Sequence, residues 1–142
     1  MPDTKTCAAL SLALALITFL APSALLAQGQ VNCQNPQTQT EMNICAGQDY
    51  RSADVALNHA YKSAMVAMKD MDANLPPNLK GAVKTLRAAQ RAWIPFRDKA
   101  CEAEGFMARG GSMESMLVGS CLADVTRTRT KELEDLGSGL GN

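Results

Sequence analysis

Residues 86–101 read LRAAQRAWIPFRDKAC, and this stretch decides the fold class. Leu86, Gln90, Trp93, Arg97 and then Ala100 or Cys101 recur at three- and four-residue steps, so they share one face of a helix. Leu79 and Val83 extend the same face upstream, and the spacing predicts a helix from near Asn78. Pro95 falls inside it. A missing N–H and a clash with the carbonyl one turn back predict a kink or local break there.

Working outward, Pro76-Pro77 separates this helix from an earlier one. Cys45, Ala53, Ala56, Leu57, Ala60, Tyr61, Ala64, Met65 and Met68 keep the helical period to about Met71. Thr40-Glu41-Met42-Asn43 supplies capping side chains for its start. Downstream, Gly105 to Gly111 reads as a loop. Ser112 is placed to cap a third helix, with Glu114 in its first turn and Leu117, Cys121, Val125 and Leu133 along it. No alternating strand pattern or internal repeat is present. The expected fold is all-α: a small three-helix bundle around one core.

The first 27 residues belong to a different regime. Lys5 precedes an apolar run from Cys7 to Leu20, Pro22 breaks it, and Ala24-Leu25-Leu26-Ala27 ends in a small residue. This is the pattern of a cleaved secretory signal, with an apolar run too short for a comfortable bilayer span. A lipoprotein would need a cysteine where Gln28 stands. The expected division is therefore a signal peptide over 1–27, a helical domain over 28–136 and a flexible tail over 137–142. Location outside the cytoplasm follows, periplasmic or secreted, with no membrane contact after cleavage.

Export gives the cysteines their meaning. Cys33, Cys45, Cys101 and Cys121 remain after the signal is removed, an even count in an oxidising compartment. Four cysteines allow three pairings. Cys33–Cys45 and Cys101–Cys121 are favoured, because each pair is close in sequence and spans a turn. Each bridge stabilises by about 3 kcal/mol on a loop-entropy argument. The competing zinc site lacks the paired short spacings that such sites use.

Polar residues stand on faces where a plain bundle would be apolar. Asp54, Asn58 and Tyr61 are spaced i, i+4, i+7 on the first helix, and Gln90, Trp93 and Arg97 repeat that geometry on the second, with Asp98 adjacent. A buried Arg needs carboxylates or carbonyls, and Asp54 and Asp98 are the candidates. Two readings follow: a polar binding site between helices, or a structural network that fixes helix register. The second is favoured.

These strings also carry a family resemblance. Residues 54–61 have the form D-x-x-L-N-x-x-Y, and residues 86–101 the form L-r-x-A-Q-R-x-W-x-x-[FY]-R-D-x-x-C. Cys121, Leu122, Thr126, Arg127 and Leu133 follow. The chain from about Cys33 to Leu136 resembles the N-terminal domain of the LprI lysozyme-inhibitor proteins. That resemblance implies an exported binding protein with a protein partner such as lysozyme or a related muramidase. It differs from lipoprotein members in having no lipid-attachment cysteine.

Other classes find little support. Equal counts of 14 Lys+Arg and 14 Asp+Glu, with 4% aromatics, argue against nucleic-acid binding. His59 is the only histidine and reads as a surface residue. No nucleophile elbow, phosphate loop or histidine cluster is found, so neither an enzyme nor a cofactor is expected. Met65, Met68 and Met71, with Met113 and Met116, leave a Cu(I)-carrier reading, although Met at helical spacing is usually core filler. A structural or interaction role in the cell envelope, without lysozyme contact, is the main alternative. The favoured reading of Gly105–Ser112 is an ordinary helix–helix connection whose glycines turn the chain; if the chain does block a lysozyme, this segment is the surface expected to do so. Arg109 would pair with a cleft carboxylate, Ser112 would donate a hydrogen bond, and Phe106 and Met107 would cover apolar wall.

Overall fold

The computed structural model describes residues 31–139, so the expected signal peptide and residues 140–142 lie outside the described residues. Thr38 opens the first helix. Its hydroxyl accepts from the Glu41 N–H while the Glu41 carboxylate accepts from the Thr38 N–H, a reciprocal capping box. The start thus lies two residues before the Thr40–Asn43 segment expected to cap it. Helix α1 then runs Gln39–Asn74. A short 3-10 turn at Pro77–Leu79 follows, then α2 at Ala82–Gly105, a second 3-10 turn at Phe106–Ala108, and α3 at Glu114–Ser138. Among the described residues there is no strand, and the fold is all-α.

Three local expectations need correction. The second helix starts at Ala82 rather than near Asn78, and Leu79 lies in the preceding 3-10 turn, exposed. Pro95 does not break α2. Pro95 and Arg91, whose carbonyl loses its partner, are both exposed, so water can satisfy that carbonyl. Ser112 does not cap α3: Met113 holds the N-cap position without a side-chain bond, and the Ser112 carbonyl accepts from Asn43 Nδ2 at 3.0 Å.

The start of α2 is capped from a distance. Asp72, near the end of α1, accepts the N–H groups of Gly81, Ala82 and Val83 at 2.8, 2.9 and 3.1 Å. These donors have no partner within the helix, and the carboxylate also suits the positive end of its dipole. Gly81, at φ 145°, takes a backbone conformation that other residues rarely adopt. The cap joins the two helices across the Pro76-Pro77 turn.

Gly119 lies against Ala46, and Gly137 against the backbone of Ala64. Both pairings advance in the same direction, so α1 and α3 run parallel, and α2 returns between their ends. The buried α3 positions Gly119, Ala123, Thr126, Thr130 and Leu133 alternate four- and three-residue steps, a coiled-coil-like stripe of mostly small residues. Small side chains allow the two helices to approach closely. Of the apolar positions read along this helix, Leu133 and Cys121 are buried, whereas Leu117 and Val125 are only half-buried.

The larger apolar side chains gather where α1 ends. Leu57, Ala60, Ala64, Met68, Leu86 and Leu133 form the core, with Tyr61, Met65, Val83 and Trp93 packed around it. Leu133 is fully buried, a contribution of roughly 2–3 kcal/mol from its side chain. The other end carries the two disulfides, Cys33–Cys45 and Cys101–Cys121, each with a Cα–Cα distance of 5.4 Å. No described helix is long and apolar enough to cross a membrane.

Candidate functional site

Arg97 organises the polar face between α1 and α2. Its side chain is only 7% exposed. Nη1 lies 3.3 Å from Asp54 Oδ1, while Nε and Nη2 both donate to Asp98 Oδ1 at 2.9 and 2.8 Å. The guanidinium is also flanked by two rings: Tyr50 at 5.2 Å and Trp93 at 5.1 Å, measured to the ring centres. Such stacking satisfies the faces of the cation while the carboxylates satisfy its edge. Burial pushes the Tyr50 hydroxyl pKa up, against the opposing pull of the Arg97 cation; Asp54 and Asp98 add to the rise.

Asn58 extends this network on α1, donating from Nδ2 to the Asp54 carbonyl at 2.8 Å and to its carboxylate at 3.0 Å. Gln90 does not join it. Its carbonyl oxygen accepts from Arg129 Nε on α3 at 3.1 Å, and Arg129 is held in turn by Glu132. Tyr61 packs on the core and makes no hydrogen bond among the described residues. Asp54, Asn58, Tyr61, Gln90 and Arg97 nevertheless line one cleft, together with Leu57, Arg87, Arg91 and Ile94. Its volume is about 440 Å³. Trp93 sits beneath Arg97 and is not among the cleft's lining residues.

Tyr50 and Arg129 were missed by sequence reasoning. Tyr50 stands one turn before Asp54, so its helical spacing places it on the Arg97 side. Arg129 had no such local signal, because its partner lies 39 residues away.

The second region is the corner between α2 and α3. Phe106, Met107 and Met113 are exposed, Met107 by 75%. Their support is specific. Glu114 accepts from the Gly110 N–H at 2.7 Å and from Arg109 Nη1 at 2.6 Å. These bonds hold the Glu114 carboxyl below the ordinary glutamate range, with the Gly110 N–H the main cause. The Arg109 guanidinium lies 4.5 Å from the Phe106 ring centre. Below, the buried Cys101–Cys121 bridge ties the two helices that carry the loop. Arg109 therefore already has a partner within its own loop. Ser112 is exposed.

The methionines do not form one cluster. Met68 is core, Met65 packs against it, and Met71 is exposed. Met113 is exposed at the corner, whereas Met116 meets Gln39 Nε2 at 3.7 Å. Among the described residues no group of His, Cys, Asp or Glu is placed to hold a metal ion. His59 is exposed.

Comparison with known proteins places this geometry in a family. A family model described as "Lysozyme inhibitor LprI" matches residues 31–133. An uncharacterised protein of Rhizobium meliloti (strain 1021) is 46% identical over 127 residues, covering 87% of this chain and 91% of that protein. The uncharacterised protein YecT of Escherichia coli (strain K12) is 29% identical over 110 residues, covering 71% of this chain and 67% of that protein. A crystal structure of a DUF1311 family protein from Pseudomonas putida KT2440 superposes with a TM-score of 0.61 at 25% identity. It covers 76% of this chain and 99% of that one.

Proposed function

Because this chain belongs to the Lysozyme inhibitor LprI family, we propose that it is an exported binding protein that blocks lysozyme or a related muramidase. The observation that carries this reading is the braced α2–α3 corner. Exposed Phe106 and Met107 stand on a loop whose shape is already set by Glu114 and by the bridge below. A contact surface ordered before binding loses less entropy on association. A muramidase cleft offers apolar walls beside its catalytic carboxylates. Phe106 and Met107 meet the walls, and the exposed Ser112 hydroxyl is available to a carboxylate. Arg109 acts first as a brace, since Glu114 and Phe106 occupy its guanidinium.

The test is an activity titration of several lysozyme types with the oxidised protein and with Met107→Glu. The wild type is expected to inhibit at least one type. The exposed Met107 can change without unfolding the bundle, and its replacement should weaken inhibition by about tenfold or more. Full lysozyme activity at excess wild-type protein, across every type, would overturn the reading. Equal inhibition by the variant would move the contact away from the corner.

A further inference from the structure

The α1–α2 cleft combines features that a structural network alone does not require. Arg87 and Arg91 lie one turn apart on α2, line the cleft and are exposed. Neither has an ion-pair partner among the described residues. Gln90 lies between them in sequence and is 8% exposed. Arg129 binds its carbonyl oxygen, which leaves the amide NH2 as the group Gln90 can offer to the cleft. The Tyr61 hydroxyl adds a further donor. Asp54 is the one carboxylate in the lining, and Arg97 and Asn58 already engage it. The cleft is thus rich in unused donors and carries an excess of positive charge.

We propose that this cleft binds a small oxyanion-bearing ligand, with the acidic group gripped by Arg87 and Arg91 and hydrogen-bonded by the Gln90 amide. Guanidinium groups match the planar acceptor pairs of carboxylates and the oxygens of phosphates, and two of them on one helix face converge on a single acid. Leu57 and Ile94 provide apolar wall for the remainder of the ligand. The volume lies within the range of small-molecule sites. Arg97 belongs to the wall rather than the grip, because Asp54, Asp98 and two rings hold it. The proposal is independent of lysozyme inhibition.

Calorimetric titration at low ionic strength tests it with three probes: inorganic phosphate, malonate and neutral glycerol. The oxidised wild type is expected to bind phosphate or malonate saturably and glycerol not at all. Whichever of the two binds more tightly identifies the acid as a phosphate or a carboxylate. Arg87→Gln with Arg91→Gln should weaken that binding by about tenfold or more and leave thermal unfolding unchanged. Lys69→Gln with Lys80→Gln removes the same charge outside the cleft and should bind like the wild type. The proposal is overturned by the absence of saturable binding, by equal weakening in both double variants, or by undiminished binding in the arginine variant.

Discussion

The two ends of the bundle are held by different means. At one end, where α1 and α3 begin and α2 finishes, the helices meet through Ala46, Ala53, Gly119 and Ala123, and both disulfides are found there. At the other end no bridge exists among the described residues. Leu57, Met68, Leu86 and Leu133 supply the core instead, and Asp72 closes the α1–α2 turn with three hydrogen bonds. Small residues permit close helix approach but bury little apolar area, so covalent links stand where the hydrophobic contribution is thin. The exposed corner at Phe106–Met113 projects from the bridged end, which therefore gains rigidity without a large core beneath it.

Removing the bridges is the strongest way to break this contrast. Cys101→Ala with Cys121→Ala opens a loop of sequence separation 20, and Cys33→Ala with Cys45→Ala one of 12. Each loss is expected to destabilise by about 3 kcal/mol, somewhat more for the longer loop. Denaturant unfolding measures this. Hydrogen exchange sharpens it, since protection should fall first at the bridged end and persist around Leu133. Uniform loss of protection would show that the two ends do not differ.

Arg97→Ala comes next. Asp54 and Asp98 keep 40% and 52% side-chain exposure, so the carboxylates left behind stay partly solvated. The expected cost is about 2–3 kcal/mol, below the roughly 3–5 kcal/mol of a fully buried pair. Chemical denaturation checks it. An unchanged midpoint would mean that Arg97 contributes nothing to holding α1 against α2.

The smallest effect belongs to Asp72→Asn at the unbridged end. Backbone N–H groups of Gly81, Ala82 and Val83 hold the Asp72 carboxyl below its usual range. A depressed folded-state pKa stabilises the protein above the unfolded value of about 4, and that contribution disappears as pH falls through the folded value. The variant should melt slightly lower than wild type at neutral pH, and the two curves should converge on acidification. A constant gap across that range would remove the charge of Asp72 from the explanation.

The helical class, both bridges and the grouping of Asp54 with Arg97 and Asp98 were legible because their signals are local or strongly typed. Large apolar residues at helical spacing, an even cysteine count in a chain whose start reads as an export signal, and a cation on a buried face each point to a partner. The α1–α3 seam was less visible. A search for large apolar residues finds Leu117 and Val125 and passes over Gly119, Thr126 and Thr130, although closeness of approach favours the small ones. Asp72 escaped notice for another reason. Its capping targets lie nine to eleven residues downstream, beyond a proline turn, where no periodicity connects them. Gln90 shows the limit of face-matching: it shares a face with Arg97 yet gives its carbonyl to α3.

The seam has a mechanical consequence. Gly119 and Gly137 touch α1 at two places separated by 18 residues, roughly 27 Å along the helix axis. Two such bearings on one shaft determine direction as well as position, whereas a single contact would leave α3 free to pivot. The tighter bearing is Gly119: a Cβ there would stand 3.0 Å from the Ala46 Cβ, so a side chain would push the start of α3 away from α1, next to the corner that Glu114 braces, whereas a Cβ at Gly137 would make only ordinary contact. The aim of Phe106 and Met107 is thus governed in part by the closeness of Gly119 to Ala46.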